Sequence, residues 1–389
     1  MEGKNYAAKQ KSQKRRECIN NCLKHRSLFH IRLFLFAAMS LSLIFSACNQ
    51  PGAIRDNQNQ SNKNIPSPTN TATKESGFIY TADERGNSIS VVDLAANQVR
   101  KIPIGISPHN IQISQDGRLL LVVGAPANGG GHDDGGHGAA SGKLLIFDTE
   151  KMNSADASEI EIGKHPAHVV IDPQGKFIYA TNSEDDTISV VDAAQRKVVK
   201  TISTGKMPHG LRMSPDGREI YVANTGDGTV SVVSAAEQKE TARIPVGKAP
   251  VQVGFTPDGK RVYISLRDEN AVAVIDTATR KKIASVAVGN QPIQIFATPD
   301  GRFVYVANQG TESQPDNTVS VIDTLSNQVV ATITTGKGAH GVVASGNRVF
   351  VTNTFDDTVS VIDVDAQKVI GTISVGDAPN GITFGNAKN

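Results

Sequence analysis

The strongest constraint on this 389-residue chain is that it repeats itself. Tyr179, Tyr221, Tyr263 and Tyr305 recur at intervals of 42 residues, and Phe350 follows 45 residues after the last of them. The same phrase surrounds each. "REIYVANTGDGTVSVVSAAEQKETARIPVGKAPVQVGFTPDG", residues 218–259, is one copy. Upstream, Tyr80 and Leu121 hold the equivalent place, which makes seven units. A period of this length leaves few architectures open, because each unit must bury its apolar face against its neighbours.

Within a unit the period is that of strands. "HGLRMS", "REIYVAN" and "TVSVVSA" alternate apolar and polar residues, and "KETARIPVG" closes the unit. Pro215, Asp216 and Gly217 make the first turn: proline pre-sets φ, aspartate bonds its own backbone, and glycine accepts a positive φ. No stretch after residue 77 sustains a helical period. The pattern predicts an all-β protein, a seven-bladed β-propeller of four-stranded antiparallel blades. The first unit begins at its second strand, "GFIYTAD", and the chain ends on "PNGITFGN", which has the pattern of a first strand. The C-terminal strand is therefore expected to complete blade 1, closing the ring without an open edge.

"YVAN" at Tyr221 and Tyr305, "YATN" at Tyr179 and "FVTN" at Phe350 resemble the YVTN-repeat propellers, which include surface-layer and periplasmic YncE-like proteins. The resemblance spans about residues 77–387 and concerns fold more than activity. It implies that each tyrosine packs against the neighbouring blade and that each asparagine caps a turn. "YISL" at Tyr263 and "LVVG" at Leu121 depart from the motif.

Residues 1–47 are a unit apart. Nine lysines and arginines lead into the apolar run "LFLFAAMSLSLIFSA", residues 33–47. The run is short for a membrane span and has the order of a secretory signal. "FSAC", ending at Cys48, resembles a bacterial lipobox, which implies cleavage before Cys48 and lipidation there. The other two cysteines, Cys18 and Cys22, leave with the signal, so the mature chain can form no disulfide. Residues 48–76 are rich in Asn, Gln, Ser, Thr and Pro and read as a flexible tether to a propeller over 77–389. The expectation is an exported, monomeric lipoprotein, anchored to a membrane and facing the periplasm or cell exterior. Beyond the signal the chain carries 31 basic and 36 acidic residues, a net charge of −5. That balance, with six tyrosines in all, argues against a basic, aromatic-lined nucleic-acid groove.

The unusual residues fall on one face of the expected disc. A recurring Gly-x-x-Pro, with Ala339 in place of proline in blade 7, precedes the innermost strands, and His109, His209 and His340 open three of them. They should ring the mouth of the central channel, joined by His168, one position further along in blade 3, and by His165. One step off the apolar row lie Asn110, Gln112, His168, Arg212, Gln252 and Gln294, a polar lining suited to a wet channel or a polar ligand. "GGGHDDGGHG", residues 129–138, is an insertion of about 16 residues between the second and third strands of blade 2. His132, Asp133, Asp134 and His137 are candidate ligands for Zn, Cu, Ni or Fe, shared with His109, His209 and His340. A glycine-rich loop alone binds weakly because ordering it costs entropy. The plainer alternative is a solvated loop above histidines that cap strand starts.

Familiar catalytic signatures are absent: there is no His-Glu-x-x-His, Gly-x-Ser-x-Gly or Cys-x-x-Cys-His. The chain is read first as a non-catalytic binding platform for a protein, a metal ion or a small polar ligand. Two alternatives stand beside it. One is a transition-metal binding or delivery protein. The other is a sugar-lactone hydrolase, because lactonase propellers have blades similar to "TPDGRFVYVAN". Against the hydrolase, no acidic partner stands beside His168 and Arg212 in the expected lining.

Overall fold

The computed structural model describes residues 76–127 and 140–386. The expected signal, Cys48, the tether up to residue 75, and His132, Asp133, Asp134 and His137 lie outside the described residues. A compact unit spanning Asn70–Asn389 contains seven four-stranded antiparallel sheets, the blades of a β-propeller. Strands are lettered A to D outward from the channel axis. Blade 4 is typical, with strands Pro208–Met213, Glu219–Asn224, Thr229–Ser234 and Lys239–Pro245. The ring closes as the repeat predicts. The C-terminal strand Pro379–Gly385 pairs antiparallel with Phe78–Asp83 and serves as strand A of blade 1.

The repeated aromatic packs as the motif implies: Tyr179, Tyr221, Tyr263, Tyr305 and Phe350 are fully buried. The repeated asparagine does something other than cap a turn. In blade 4, Asn224 donates from Nδ2 to Thr229 Oγ1 and Ser231 Oγ, each at 2.9 Å, so it ties strand B to strand C. Asn182, Asn308 and Asn353 make the same pair of bonds in their blades. The glycine of Gly-x-x-Pro lies on this amide, and a Cβ on Gly205 would come within 2.5 Å of Asn224 Nδ2. One short motif thus fixes each blade internally and fixes the entry of the chain into it.

Blade 1 replaces the asparagine with Asp83. Its buried carboxylate accepts from Thr81 Oγ1 at 2.6 Å, Ser90 Oγ at 2.7 Å and Ser88 Oγ at 3.0 Å. Burial pushes its pKa up against the pull of these hydroxyls. An amide has the same shape and can donate to the hydroxyls, as in blade 4. Asp83→Asn should therefore change stability by less than about 1 kcal/mol, whereas Asp83→Ala, which orphans three buried hydroxyls, should cost about 3 kcal/mol. Urea unfolding of both variants checks this, and equal losses would contradict the assignment.

Candidate functional site

A shared irregularity shapes the axis. Strand A carries one residue more than strand B across the same step in all seven blades, a β-bulge just after Pro208 in blade 4 and at the matching place elsewhere. A bulge re-aims the side chains beside it. Two successive positions of strand A therefore turn toward the axis, where plain alternation would send one away. His109, His209, His340 and Asn380 occupy the first position, and Asn110, His168, Gln252 and Gln294 the second.

The first layer floors an open cavity of about 710 Å³. Its walls come from the connections between strands B and C, with Glu84, Thr225, Arg267, Gln309 and Thr354 among them. The volume is typical of a small-molecule site. Pro126 and Ala127, where the blade 2 insertion departs, lie on its rim. The predicted face is thus the one that carries the mouth.

Four histidines meet here. The ring centroids of His109 and His209 are 5.3 Å apart, those of His168 and His209 5.1 Å, and those of His109 and His340 6.3 Å. Nε2 of His109 lies 3.3 Å from Nε2 of His209. Their outer nitrogens are held by acceptors. His209 Nδ1 donates to the Val251 carbonyl at 3.2 Å, and His340 Nδ1 donates to the Asn380 carbonyl at 3.2 Å. His109 Nδ1 lies 3.4 Å from Glu84 Oε1, and Asn380 Nδ2 donates to Glu84 Oε2.

Burial keeps the imidazoles neutral. It holds His109 down at about 3, with help from His340 and His165 nearby. It holds His340 at about 4, although Glu84 and the Asn380 carbonyl pull the other way. His168 lies well below the usual histidine range for the same reason, reinforced by His209, His109 and Arg212.

The expected wet lining is largely a packed layer. Asn110, His168, Gln252 and Gln294 are buried. Bonds cross the axis between blades: Gln252 Nε2 lies 3.2 Å from His168 Nδ1, and Arg212 donates to Gln112 Oε1 at 3.0 Å. Arg212 also lies over the Phe296 ring, and burial lowers its pKa to about 10, so it remains a cation. His165 stands apart from the cluster, 3.5 Å from Glu184 Oε1.

Glu84 is the residue that sequence reasoning missed, an acidic partner for His109 rather than for His168 and Arg212. A signal for it existed. Glu84 follows the strand B terminus, where Ser183, Thr225 and Thr354 occupy the corresponding places and bond the carbonyls of Pro208, Pro250 and Pro379. A carboxylate has no proton to donate to that carbonyl, and the longer glutamate side chain extends to His109.

With this geometry in place, the likenesses can be read. Residues 140–244 match the family model "Lactonase, 7-bladed beta-propeller". That stretch holds His168, His209 and Arg212 but not Glu84 or His109. Among solved structures, hydrazine synthase of Kuenenia stuttgartiensis is similar at 20% identity and TM-score 0.61, over 72% of this chain and 95% of that one. A functionally unknown protein of Desulfotomaculum acetoxidans is similar at 18% identity and TM-score 0.67, over 80% of this chain and 100% of that one. A candidate 6-phosphogluconolactonase of Bacteroides fragilis is similar at 17% identity and TM-score 0.61, over 80% and 99%. A comparison with curated proteins finds no significant match. The chain is a seven-bladed β-propeller, and at these identities the structural likenesses concern the fold alone.

Neutral burial of the histidines sets a pH dependence. The unfolded chain takes up these protons below about pH 6.5, whereas the folded protein resists until pH 3–4. Stability therefore falls as pH drops through that window. For His340 alone the loss between pH 7 and pH 5 is about 2 kcal/mol. Urea midpoints should fall on acidification, less steeply in His340→Gln, and a midpoint indifferent to pH in the unaltered protein would refute neutral burial.

Proposed function

We propose that the protein hydrolyses a lactone, a cyclic ester of the sugar-acid class, at the channel mouth. The observation that carries this reading is the Glu84–His109 pair at the floor of the cavity, in a chain whose residues 140–244, the outer two strands of blade 2 with blades 3 and 4, match the lactonase model. Water adds to the lactone carbonyl, and its proton passes to an imidazole. The ring C–O bond then breaks, and the ring oxygen takes a proton to give the open hydroxy acid.

The residues suit those roles. Glu84 accepts from Nδ1–H of His109, which leaves a lone pair on Nε2. His209 is set in the same sense by the Val251 carbonyl. The two lone pairs converge on the cavity side of the floor, where a water can give a proton to either. Burial lowers the His109 pKa to about 3, so the imidazole is unprotonated but weakly basic, and proton transfer to it relies on the Glu84 carboxylate stabilising the imidazolium that forms. The wall residues Arg267, Gln309 and Thr354 offer donors for sugar hydroxyls and for the developing oxyanion.

A finer likeness to YVTN-repeat proteins and export as a lipoprotein anchored through Cys48 belong to the same proposal. Mass spectrometry of natively purified protein tests the latter: a lipid-bearing chain starting at Cys48 supports it, and an intact 41.2 kDa chain rejects it.

The activity is tested by pH-stat titration against γ- and δ-lactones of sugar acids, with and without a phosphate. Turnover should exceed spontaneous hydrolysis. His109→Ala and Glu84→Gln should each lower kcat/KM by about 100-fold, a loss of the size a missing general base produces. The rate should hold level from pH 7 to pH 5. No turnover of any lactone would overturn the reading in favour of a non-catalytic binding face.

A further inference from the structure

We infer that His109, His168 and His209 form a three-histidine site for a divalent transition-metal ion of the zinc, copper and nickel group, open on its fourth side to the mouth cavity. The ligand nitrogens of these residues all lie within 4.8 Å of one another. The closest pair sets the geometry. Two imidazole nitrogens, each about 2.05 Å from a tetrahedral ion, lie about 3.3 Å apart. Nε2 of His109 and Nε2 of His209 are 3.3 Å apart.

The outer contacts are those of metal ligands. A ligating histidine typically donates its second N–H to a carboxylate or a backbone carbonyl, which fixes the tautomer and aims the lone pair. Glu84 plays this part for His109, and the Val251 carbonyl plays it for His209. With Nδ1–H of His209 donated to the Val251 carbonyl, its Nε2 carries a lone pair 3.3 Å from Nε2 of His109, and the two nitrogens can hold one proton or one ion between them.

His168 supplies an independent observation. It is buried, and its Nε2 has no hydrogen-bond partner among the described residues, an expensive state for a ring nitrogen. A metal bond satisfies it. The condition falls on Gln252. Val253 N donates to Gln252 Oε1 at 2.8 Å, which turns Gln252 Nε2 to His168 Nδ1 and places the histidine proton on Nε2. To ligate through Nε2, His168 needs its proton on Nδ1, and a half-turn of the Gln252 amide presents Oε1 to accept it. Gln252 is therefore a positioning residue, and its amide is expected to turn over between the metal-free and metal-loaded states.

This inference stands apart from lactone hydrolysis, because its readouts are binding and spectra. Full-length protein, stripped with chelator, is titrated with Co²⁺ and followed by visible absorption, then competed with Zn²⁺. A single ion per chain with intense tetrahedral d–d bands is expected. His209→Ala should weaken binding at least 100-fold with the far-ultraviolet circular dichroism unchanged. His132→Ala with His137→Ala should leave affinity within about threefold, since the site is built on strands. Gln252→Glu offers a permanent acceptor to His168 Nδ1–H and should tighten binding by about tenfold, the scale of such outer contacts. Should His209→Ala fail to fold, Gln252→Glu carries the test alone. Weak octahedral bands, affinity that survives His209→Ala, affinity that vanishes with the His132 and His137 pair, or no gain in Gln252→Glu would each overturn the site.

Discussion

The pairing of the C-terminal strand with the first strand of the chain is the contact on which everything else depends. Seven blades enclose a channel only if the ring is shut, and an unshut ring leaves two long edges with unpaired backbone groups. The strand pair Phe78–Asp83 and Pro379–Gly385 removes both edges. It also brings the ends of the propeller together at the axis. Glu84 follows one of these strands and Asn380 lies in the other, and they bond each other beside His109 and His340. Closure and site assembly are therefore one event. A chain that lost its last strand would lose Asn380 outright, and with it the amide that orients Glu84.

The repeat motif explains why such closure is reliable. Each blade must enter the sheet at the same radius, and the Gly-x-x-Pro step does this by packing glycine against the amide at the end of strand B. That amide is itself spent on two hydroxyls of strand C. The motif so named in sequence is therefore a three-part joint between a connection and two strands. Asp83 keeps the joint with opposite polarity, accepting where asparagine donates. Five such joints, in blades 1, 3, 4, 6 and 7, leave the side chains at the axis free to differ, and that is where the histidines stand.

Much of this was legible in the residues themselves. The 42-residue spacing and the split first unit together define the blade count and the ring closure. The position of His109, His209 and His340 directly after the Gly-x-x-Pro step puts them at the mouth. Two things escaped. One is the bulge: the sequence places His168 with His109 at the mouth and also in a lining row, and the bulge in every strand A is the reason that both turn toward the axis. A bulge is a matter of register between two strands, and neither strand shows it alone. Glu84 escaped because it is a turn residue whose role depends on length: a serine or threonine in that column reaches a proline carbonyl, and a glutamate reaches the channel.

The insertion "GGGHDDGGHG" first drew attention to metal chemistry, yet the physical case shifts to the strands. A ligand on a glycine-rich segment must be ordered at the moment of binding, and that entropy is lost from the affinity. His109, His168 and His209 bear no such cost, since each belongs to a paired strand and two are nearly inaccessible to solvent. Their arrangement instead leaves Nε2 of His168 without a hydrogen-bond partner among the described residues and sets Nε2 of His109 and His209 3.3 Å apart. A propeller built for stability alone would fill this layer with residues like Val251 and Ile293, which occupy it in blades 5 and 6. Polar groups kept dry, neutral and imperfectly bonded at the mouth of a cavity are a reserve that binding releases. The proposed hydrolysis and the inferred metal capture would both draw on that reserve. They differ in whether the convergent lone pairs meet a proton or an ion.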